Sequence, residues 1–458
     1  LDRGIGGSGL IVYRANSAFA KEGNIRGNDY VYVFRQNETG VGDAAGDIVA
    51  AQVGTSAYGA PRQTIGSLAM SDDITTGALC YSNGQNSGLK ISVVEQTDGS
   101  ITFNVVHADY ASMSLWNDLL DAAGIGLMAG DDVMDTKIVA GQDGMYCLTE
   151  SSTDSGRRSL NAWKYAERAW ADCGQVAQGL GGAGMAWHDG ALYVAAADYS
   201  SDKIVLKKLE GGSWQEKARI DKSSNELSLC SVGNTLYMLA DGYGTQVQVY
   251  AYNNGSLDPL GGVLPIGRAS CPNLVEVNGA PVVVCGDSDA QALKAFRYQD
   301  GAWATTIALG DGCPAALSAA KSNDGAYVIC SYQSRTIDAS APMPRLLKLD
   351  KSGAISIEQE LHDLPQYLLK ASVAVGDADL YLSTVDQNSI AATYSVARAD
   401  LSTVDKLGGT VFAPAATVDS AVIGGKVYCA VSSEGSKKAY VKVHSALEST
   451  DSVVTISY

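Results

Sequence analysis

Short β-prone runs, cut at close intervals by glycine-bearing turns, fill most of this chain, and between Arg268 and Trp303 the pattern is complete. Ser270 to Val277 alternates apolar and polar positions and runs into Asn278-Gly279, the strongest short-range signal for a tight hairpin. Val282-Val283-Val284-Cys285 is a continuous run suited to a buried strand, and Gly286-Asp287-Ser288-Asp289 breaks it into a polar loop. Leu293 to Tyr298 supplies a third strand, Asp300-Gly301 turns the chain, and Ala302 to Ile307 supplies a fourth. A four-strand meander of this size cannot cover both of its own faces, so it must stack on others like itself.

Looser copies recur, and two markers find them. One is an aromatic or Val in the second strand: Tyr81, Tyr146, Tyr193, Tyr237, Val283, Tyr327, Tyr381 and Tyr428. The other is a glycine turn between strands three and four, as in Asp98-Gly99, Gly211-Gly212, Asn254-Gly255, Asp300-Gly301 and Ser352-Gly353. From Tyr81 to Gly99, Tyr193 to Gly212, Tyr237 to Gly255 and Val283 to Gly301 the intervals are 18, 19, 18 and 18 residues. Tyr327 to Gly353 is longer, at 26, because the segment Ser331 to Arg345 is longer; Pro342 and Pro344 keep it irregular. It is expected to be the longest loop between second and third strands and to overhang the ring as a lid or contact finger.

These spacings predict an all-β fold, a β-propeller of four-stranded blades. Eight blades are expected, one per marker, with seven or nine as alternatives because residues 1–60 carry strand-like runs but no turn between third and fourth strands. Two domains are expected: N-terminal strands over 1–60, an incomplete blade or ring closure, and the propeller over 61–458. Met113, Leu115, Trp116, Leu119, Leu120, Ile125 and Leu127 are spaced for a short amphipathic helix inserted near 111–128. Ser452 to Tyr458 reads as the fourth strand of the last unit. Gly4-Ile5-Gly6-Gly7-Ser8-Gly9 and Gly179-Leu180-Gly181-Gly182-Ala183-Gly184 each contain G-x-G-x-x-G. Neither has the strand before and helix after that a dinucleotide site needs, so both read as connections between units.

Composition narrows the function. The net charge is −17, from 33 basic and 50 acidic residues, and such a surface repels phosphate backbones and anionic lipid. No nucleic-acid partner is expected, nor insertion into a membrane, since no apolar run approaches the ~18 residues a span needs. The chain lacks an initiator Met and a signal-like start, which reads as a trimmed extracellular or cell-surface protein. Nine cysteines, none in C-x-x-C spacing, fall mostly in first and second strands, where they read as reduced packing residues.

The run Arg268-Ala269 … Val277-Asn278-Gly279 … Val284-Cys285-Gly286 … Phe296-Arg297-Tyr298 … Trp303 resembles a kelch repeat, and Gly190-Ala191-Leu192-Tyr193 … Trp214 is similar to it. The resemblance extends over about six units and implies the propeller architecture. WD repeats fit less well, because none of the six Trp precedes an Asp.

No nucleophile elbow, zinc-protease helix, P-loop or EF-hand loop is present, so an enzyme is not the first expectation. His107, His188, His362 and His444 are scattered over four units. In a propeller the loops joining second to third strands lie on one face, so residues there converge. Asp198, Tyr199, Asp202, Asp241, Tyr243, Asp287, Asp289, Tyr332, Arg335, Asp386 and Glu434 occupy that position and are the candidate binding residues. Their carboxylates suit a hard cation such as Ca²⁺, with Asp241 and Asp287 the candidate ligands, or a negative collar for a cationic partner. Tyr199, Tyr243 and Tyr332 offer flat faces for a sugar, while Asp is also a good turn former. The expected function is a monomeric ligand-binding or adhesion module for a protein or glycan. The alternatives are a carbohydrate-active enzyme using the rim carboxylates and a structural spacer of a larger surface protein.

Overall fold

The computed structural model describes residues 9–15, 31–35, 51–67, 78–80, 86–107, 114–118, 127–128, 132–152, 158–166, 169–178, 180–198, 202–242, 246–310, 312–332, 343–408, 410–432, 438–446 and 452–457. Its contacts group into two compact units, Leu1–Ser114 with Ala446–Tyr458, and Leu115–Ser445.

Seven antiparallel sheets build the 115–445 unit. Blades 1 to 6 span 132–178, 180–220, 226–259, 269–309, 314–360 and 368–406, each a meander of four strands in sequence order. Blade 7 draws three strands from 417–446, and Ser114–Asp118 supplies its outer strand. First strands of successive blades touch in turn, and Thr417–Ile423 of blade 7 touches Asp132–Gly141 of blade 1, so the circle is closed. The fold is a β-propeller.

Burial explains why the second-strand runs are so apolar. Each blade is covered on both faces by its neighbours, and Gly325–Tyr332, a second strand, is buried at every position. The outer strand Ala302–Leu309 meets solvent and alternates instead. Between the blades lie seven apolar clusters, one for each neighbouring pair. The one between blades 7 and 1 holds Ala430, Ala439 and Val441 against Val133, Ile138 and Met145.

The first strands are also stitched together by polar side chains at equivalent positions. Ser228 Oγ accepts Leu274 N–H at 3.2 Å, and Asn273 Nδ2 donates to Leu317 O at 3.2 Å. Ser318 Oγ accepts Val373 N–H at 3.1 Å and Ser372 Oγ accepts Ser420 N–H at 3.0 Å. At the seam, where blade 7 meets blade 1 without chain continuity, the acceptor is a carboxylate: Asp419 Oδ2 takes Ile138 N–H at 2.9 Å.

All seven markers from Tyr146 to Tyr428 lie in second strands; Tyr81 lies outside the described residues. Asn278 and Gly279 take φ of 48° and 74°, as a tight hairpin turn requires. The other unit contains an eighth four-stranded sheet, in the order Ser452–Ser457, Ser100–His107, Leu89–Gln96, Thr64–Gly66. With it, the sheets of four strands or more equal the markers in number. Leu10–Ile11 pairs with Gln52–Val53, and Tyr13–Ala15 with Val31–Val33, around a core including Tyr32, Phe34, Ile91 and Phe103.

Three expectations change. Over 111–128 the described residues are strands, Ser114–Asp118 and Leu127–Met128, both laid against Lys438–Ala446. An unpaired edge outcompetes an amphipathic pattern too short to form a stable helix by itself. Ser452–Ser457 completes the eighth sheet, not blade 7. Leu180–His188 is the first strand of blade 2 rather than a connection. Its glycines serve close approach: a Cβ on Gly182 would stand 2.4 Å from Asn225 O of the next blade. The first glycine-rich run falls outside the described residues apart from Gly9 and Leu10.

All nine cysteines are free thiols. Burial pushes Cys230 and Cys271 up to about 12, and Cys330 and Cys429 up to about 11. Thiolate is therefore scarce at neutral pH. Titration of the unreduced protein should find few reactive thiols before denaturation and nine after it; fewer than three after it would refute the reduced state.

Candidate functional site

Strand direction alternates within each meander, so second-to-third loops and the connections between blades share one face of the ring. The N-terminal ends of the first strands open onto that face too. Five of the seven first strands carry a register shift there, including Val133/Asp135 in blade 1 and Leu368/Lys370 in blade 6. The residues skipped by these two shifts, Met134 and Leu369, are 43% and 53% exposed. An inserted residue re-aims its side chain away from the ladder, which accounts for two exposed apolar groups in a strand position that should be covered.

Charges gather around the same opening. Lys137 Nζ lies 3.5 Å from Asp135 Oδ2, and chiefly this carboxylate, then Asp419 and Glu150, raises the lysine's pKa against the cost of burial. Glu226 of blade 3 is held above its ordinary value, first by burial and then by Asp241, while Lys137 and Lys370 oppose the rise. Lys137 belongs to blade 1 and Lys370 to blade 6, neither adjacent to blade 3, so their influence crosses the axis. Glu226 is surrounded by protein yet exposed to water. A side chain facing an opening lined by protein satisfies both observations, and its exposure to solvent damps the size of the shift but not its direction.

Between blades 2 and 3, on this face, lies a cavity of about 370 Å³ lined by Asp202, Asp221, Lys222, Gln246, Gln248 and Tyr250, among others. Its floor is tied down by Ser224 Oγ, which donates to Asp241 O at 2.8 Å, and by Asn225 N–H to the same carbonyl at 3.0 Å. Lys222 Nζ stands 5.8 Å from the centre of the Tyr250 ring.

The eleven rim residues fare unequally. Asp202 lines the cavity together with Ala240 and Gly242, the neighbours of Asp241, so two successive loops do converge. Asp241, Asp287 and Asp386 each end a second strand. Asp287 Oδ1 accepts the N–H groups of Asp289 and Ala290 at 3.1 and 3.0 Å, and its Oδ2 meets Lys294 Nζ at 2.6 Å. Asp386 Oδ1 accepts from Asn388 and Ile390 at 2.8 and 2.9 Å. These two carboxylates are turn formers. Asp289 is bound to Arg268, with Nε–Oδ1 at 3.3 Å. Tyr332 offers no flat face: it is 4% exposed, in the core between blades 4 and 5, with Arg345 over its ring at 5.7 Å. The apolar run of its strand continues to that last position and carries it inward. Asp198 ends its strand, while Tyr199, Tyr243, Arg335 and Glu434 lie outside the described residues. Among the described residues no three His, Cys, Asp or Glu stand close enough together to hold a metal ion.

Asp135, Lys137, Glu226 and Lys370 escaped the sequence reading. The signal was available: charges interrupt first strands that are otherwise apolar, and Lys137, Ser228, Asn273, Ser318, Ser372 and Asp419 recur at nearly the marker intervals.

Burial holds Glu226, Glu150 and Asp419 above their ordinary values. Each therefore contributes stability at low pH that is lost as pH rises through its folded value. Asp324, bonded by Lys348 and Ser322, is lowered to about 2, so its contribution is present above 3.8 and lost as pH falls towards 2. Urea midpoints should thus peak near pH 4 to 5, and Glu226→Gln should raise the midpoint at pH 7 more than at pH 4.5. A maximum at pH 7 or above would contradict these shifts.

No family model matches the chain, and no curated protein matches it. Among solved structures it is similar to the β-propeller domain of Cps50 (Swd1) from Myceliophteria thermophila, at 11% identity and a TM-score of 0.48, over 73% of this chain and 100% of that one. It is also similar to Saccharomyces cerevisiae Sqt1, at 12% identity and a TM-score of 0.39, over 73% and 99%. No helix among the described residues is long and apolar enough to cross a membrane.

Proposed function

We propose that this chain is an extracellular binding module of kelch-like blades that holds a protein or glycan partner against the face bearing its second-to-third strand loops. One observation carries the reading. Exposed Met134 and Leu369, with the charged groups of Asp135, Glu226 and Lys370, come from three non-neighbouring or seam-flanking blades to one opening. Apolar contacts ringed by charge, on a rigid scaffold, suit partner recognition. The chain as a whole is net acidic, which favours neutral or basic partners.

By residue count the connection between Gly325–Tyr332 and Arg345–Leu349 is the longest between second and third strands of any of the seven blades, and its residues 333–342 lie outside the described residues. In this reading it contacts the partner. Immobilised protein screened against a glycan array and a displayed-peptide library should give hits that Met134→Asp with Leu369→Asp weakens at least tenfold. Asp300→Ala, at a turn on the other face, should leave them unchanged. Deleting Ile337–Met343 should weaken capture without loss of folding. Hits insensitive to the first pair would overturn the reading, turnover of a hit would make the chain an enzyme, and silence would leave a spacer.

A further inference from the structure

The strand that completes blade 7, Ser114–Asp118, rests against a histidine whose inner ring nitrogen has no partner. His444 lies in Lys438–Ala446, and its ring centre is 5.3 Å from that of Trp116, with the two planes at 60°. Trp116 is itself fixed, because its Nε1 donates to Leu407 O at 3.0 Å. Tyr440, Lys442 and His444 alternate onto one side of their strand. That side meets the blade 6 cluster: the Tyr440 ring lies 5.5 Å from the Phe412 ring, and Lys442 Nζ stands 5.9 Å from the centre of Phe412. His444 Nε2 is buried there without a hydrogen bond.

The two protonation states of this ring differ sharply in what they ask of their surroundings. A neutral imidazole carries a single N–H and can leave Nε2 bare. An imidazolium carries N–H on both nitrogens, so the second would point from Nε2 into protein with nothing to accept it, and its charge would lie where water does not reach. The charged residues on the elements around His444 are Lys442 on its own strand, Lys426 on the adjoining one, Asp118 on the closing strand, and Asp405 and Lys406 in the blade 6 strand that runs up to Leu407. Among the described side chains none of them compensates: burial is the only influence on His444, and it lowers the proton affinity. An indole attracts cations, but here the loss of solvation outweighs that attraction. The contact therefore contributes stability that is present above the ordinary value of 6.5 and lost as pH falls through the folded value below it, opposite in direction to the contribution of Glu226.

We propose that the Trp116–His444 contact is an acid-sensitive latch, in which protonation of His444 releases Ser114–Asp118 from blade 7. Trp116 joins this strand to blade 6 through Leu407 and to blade 7 through His444, so a charge that drives His444 from its seat also loosens the tryptophan. Release is a local opening of one edge strand, with the buried second strands left paired. It uncovers part of the Lys438–Ala446 edge, to which another chain can add.

Hydrogen–deuterium exchange of the full chain between pH 7.5 and 4.5, corrected for the intrinsic pH dependence of exchange, tests the latch. Opening of Ser114–Asp118 should rise about tenfold over that range relative to Gly325–Tyr332, a fully buried second strand. His444→Phe keeps a flat ring beside Trp116 and cannot titrate, so its opening should not vary with pH. Should the phenyl ring disturb packing, shown by a lower urea midpoint at pH 7.5, His444→Gln provides the same comparison without a titrating group. Protection of 114–118 that does not change with pH, a change shared equally by Gly325–Tyr332, or the same pH dependence in the non-titrating variants overturns the proposal.

Discussion

Replacing Ser114–Asp118 by a glycine-serine linker of equal length should abolish the single cooperative unfolding of the 115–445 unit and drive the protein into oligomers. This strand is the only one by which blade 7 reaches four strands in its main order. Without it Lys438–Ala446 keeps only Leu127–Met128 beside Lys438 and Ala439, and the rest of it presents unpaired backbone groups, an edge that other chains can add to. Trp116 anchors the strand. Its Nε1 donates to Leu407 O of the blade 6 side at 3.0 Å, its ring lies 5.3 Å from that of His444, and it packs against the cluster between blades 6 and 7. Trp116→Ala alone should cost about 2 to 3 kcal/mol, the lower end for an aromatic truncation because the ring is only half-buried. Urea unfolding and gel filtration would measure both effects. An unchanged midpoint in the linker variant would mean that the ring holds without its closing strand.

The second large effect should come from Asp419→Ala, which opens the seam from the axial side. Asp419 Oδ2 accepts Ile138 N–H at 2.9 Å across the seam, and Oδ1 accepts Ser372 Oγ at 2.8 Å and Ser420 N–H at 3.0 Å. Lys137 is its nearest cationic influence. Truncation strands the Ile138 N–H, leaves Ser372 and Ser420 only the bonds they make to each other, and removes a carboxylate that helps keep Lys137 charged, so a loss of about 3 kcal/mol is expected. Ser318→Ala, which removes one neutral bond between chain-continuous blades, should cost only about 1 kcal/mol. The ratio is the informative quantity. Equal losses would show that the carboxylate is simply one more stitch.

Much of the ring was legible in local chemistry. Asn278-Gly279 makes a tight turn wherever it stands between β-prone runs, because both residues tolerate positive φ. Val282-Val283-Val284-Cys285 predicts burial on both faces, and all four residues are fully buried. Repeated intervals then place one blade after another. The candidate site was less legible, and for two different reasons. Asp287 and Asp386 look like ligands because carboxylates at loop positions bind cations, but the same oxygens cap the turns that create those loops. Glu226 and Lys370 lie in first strands, 144 positions apart by their numbering, and only ring closure brings them to one opening.

Strand identity, turn position and blade spacing depend on residues within about 20 positions of one another, so the linear order of the chain already contains them. Partner choice at the sheet edges does not. Ser114–Asp118 and Ser452–Ser457 are each able to complete a fourth-strand position, since backbone hydrogen bonding is nearly indifferent to side chains. What separates them is packing: Trp116 finds Leu407 and His444 against blade 7, while Ser452–Ser457 pairs along Ser100–Val105 in the other unit. Those contacts exist only once each unit has folded, and they decide which segment completes blade 7.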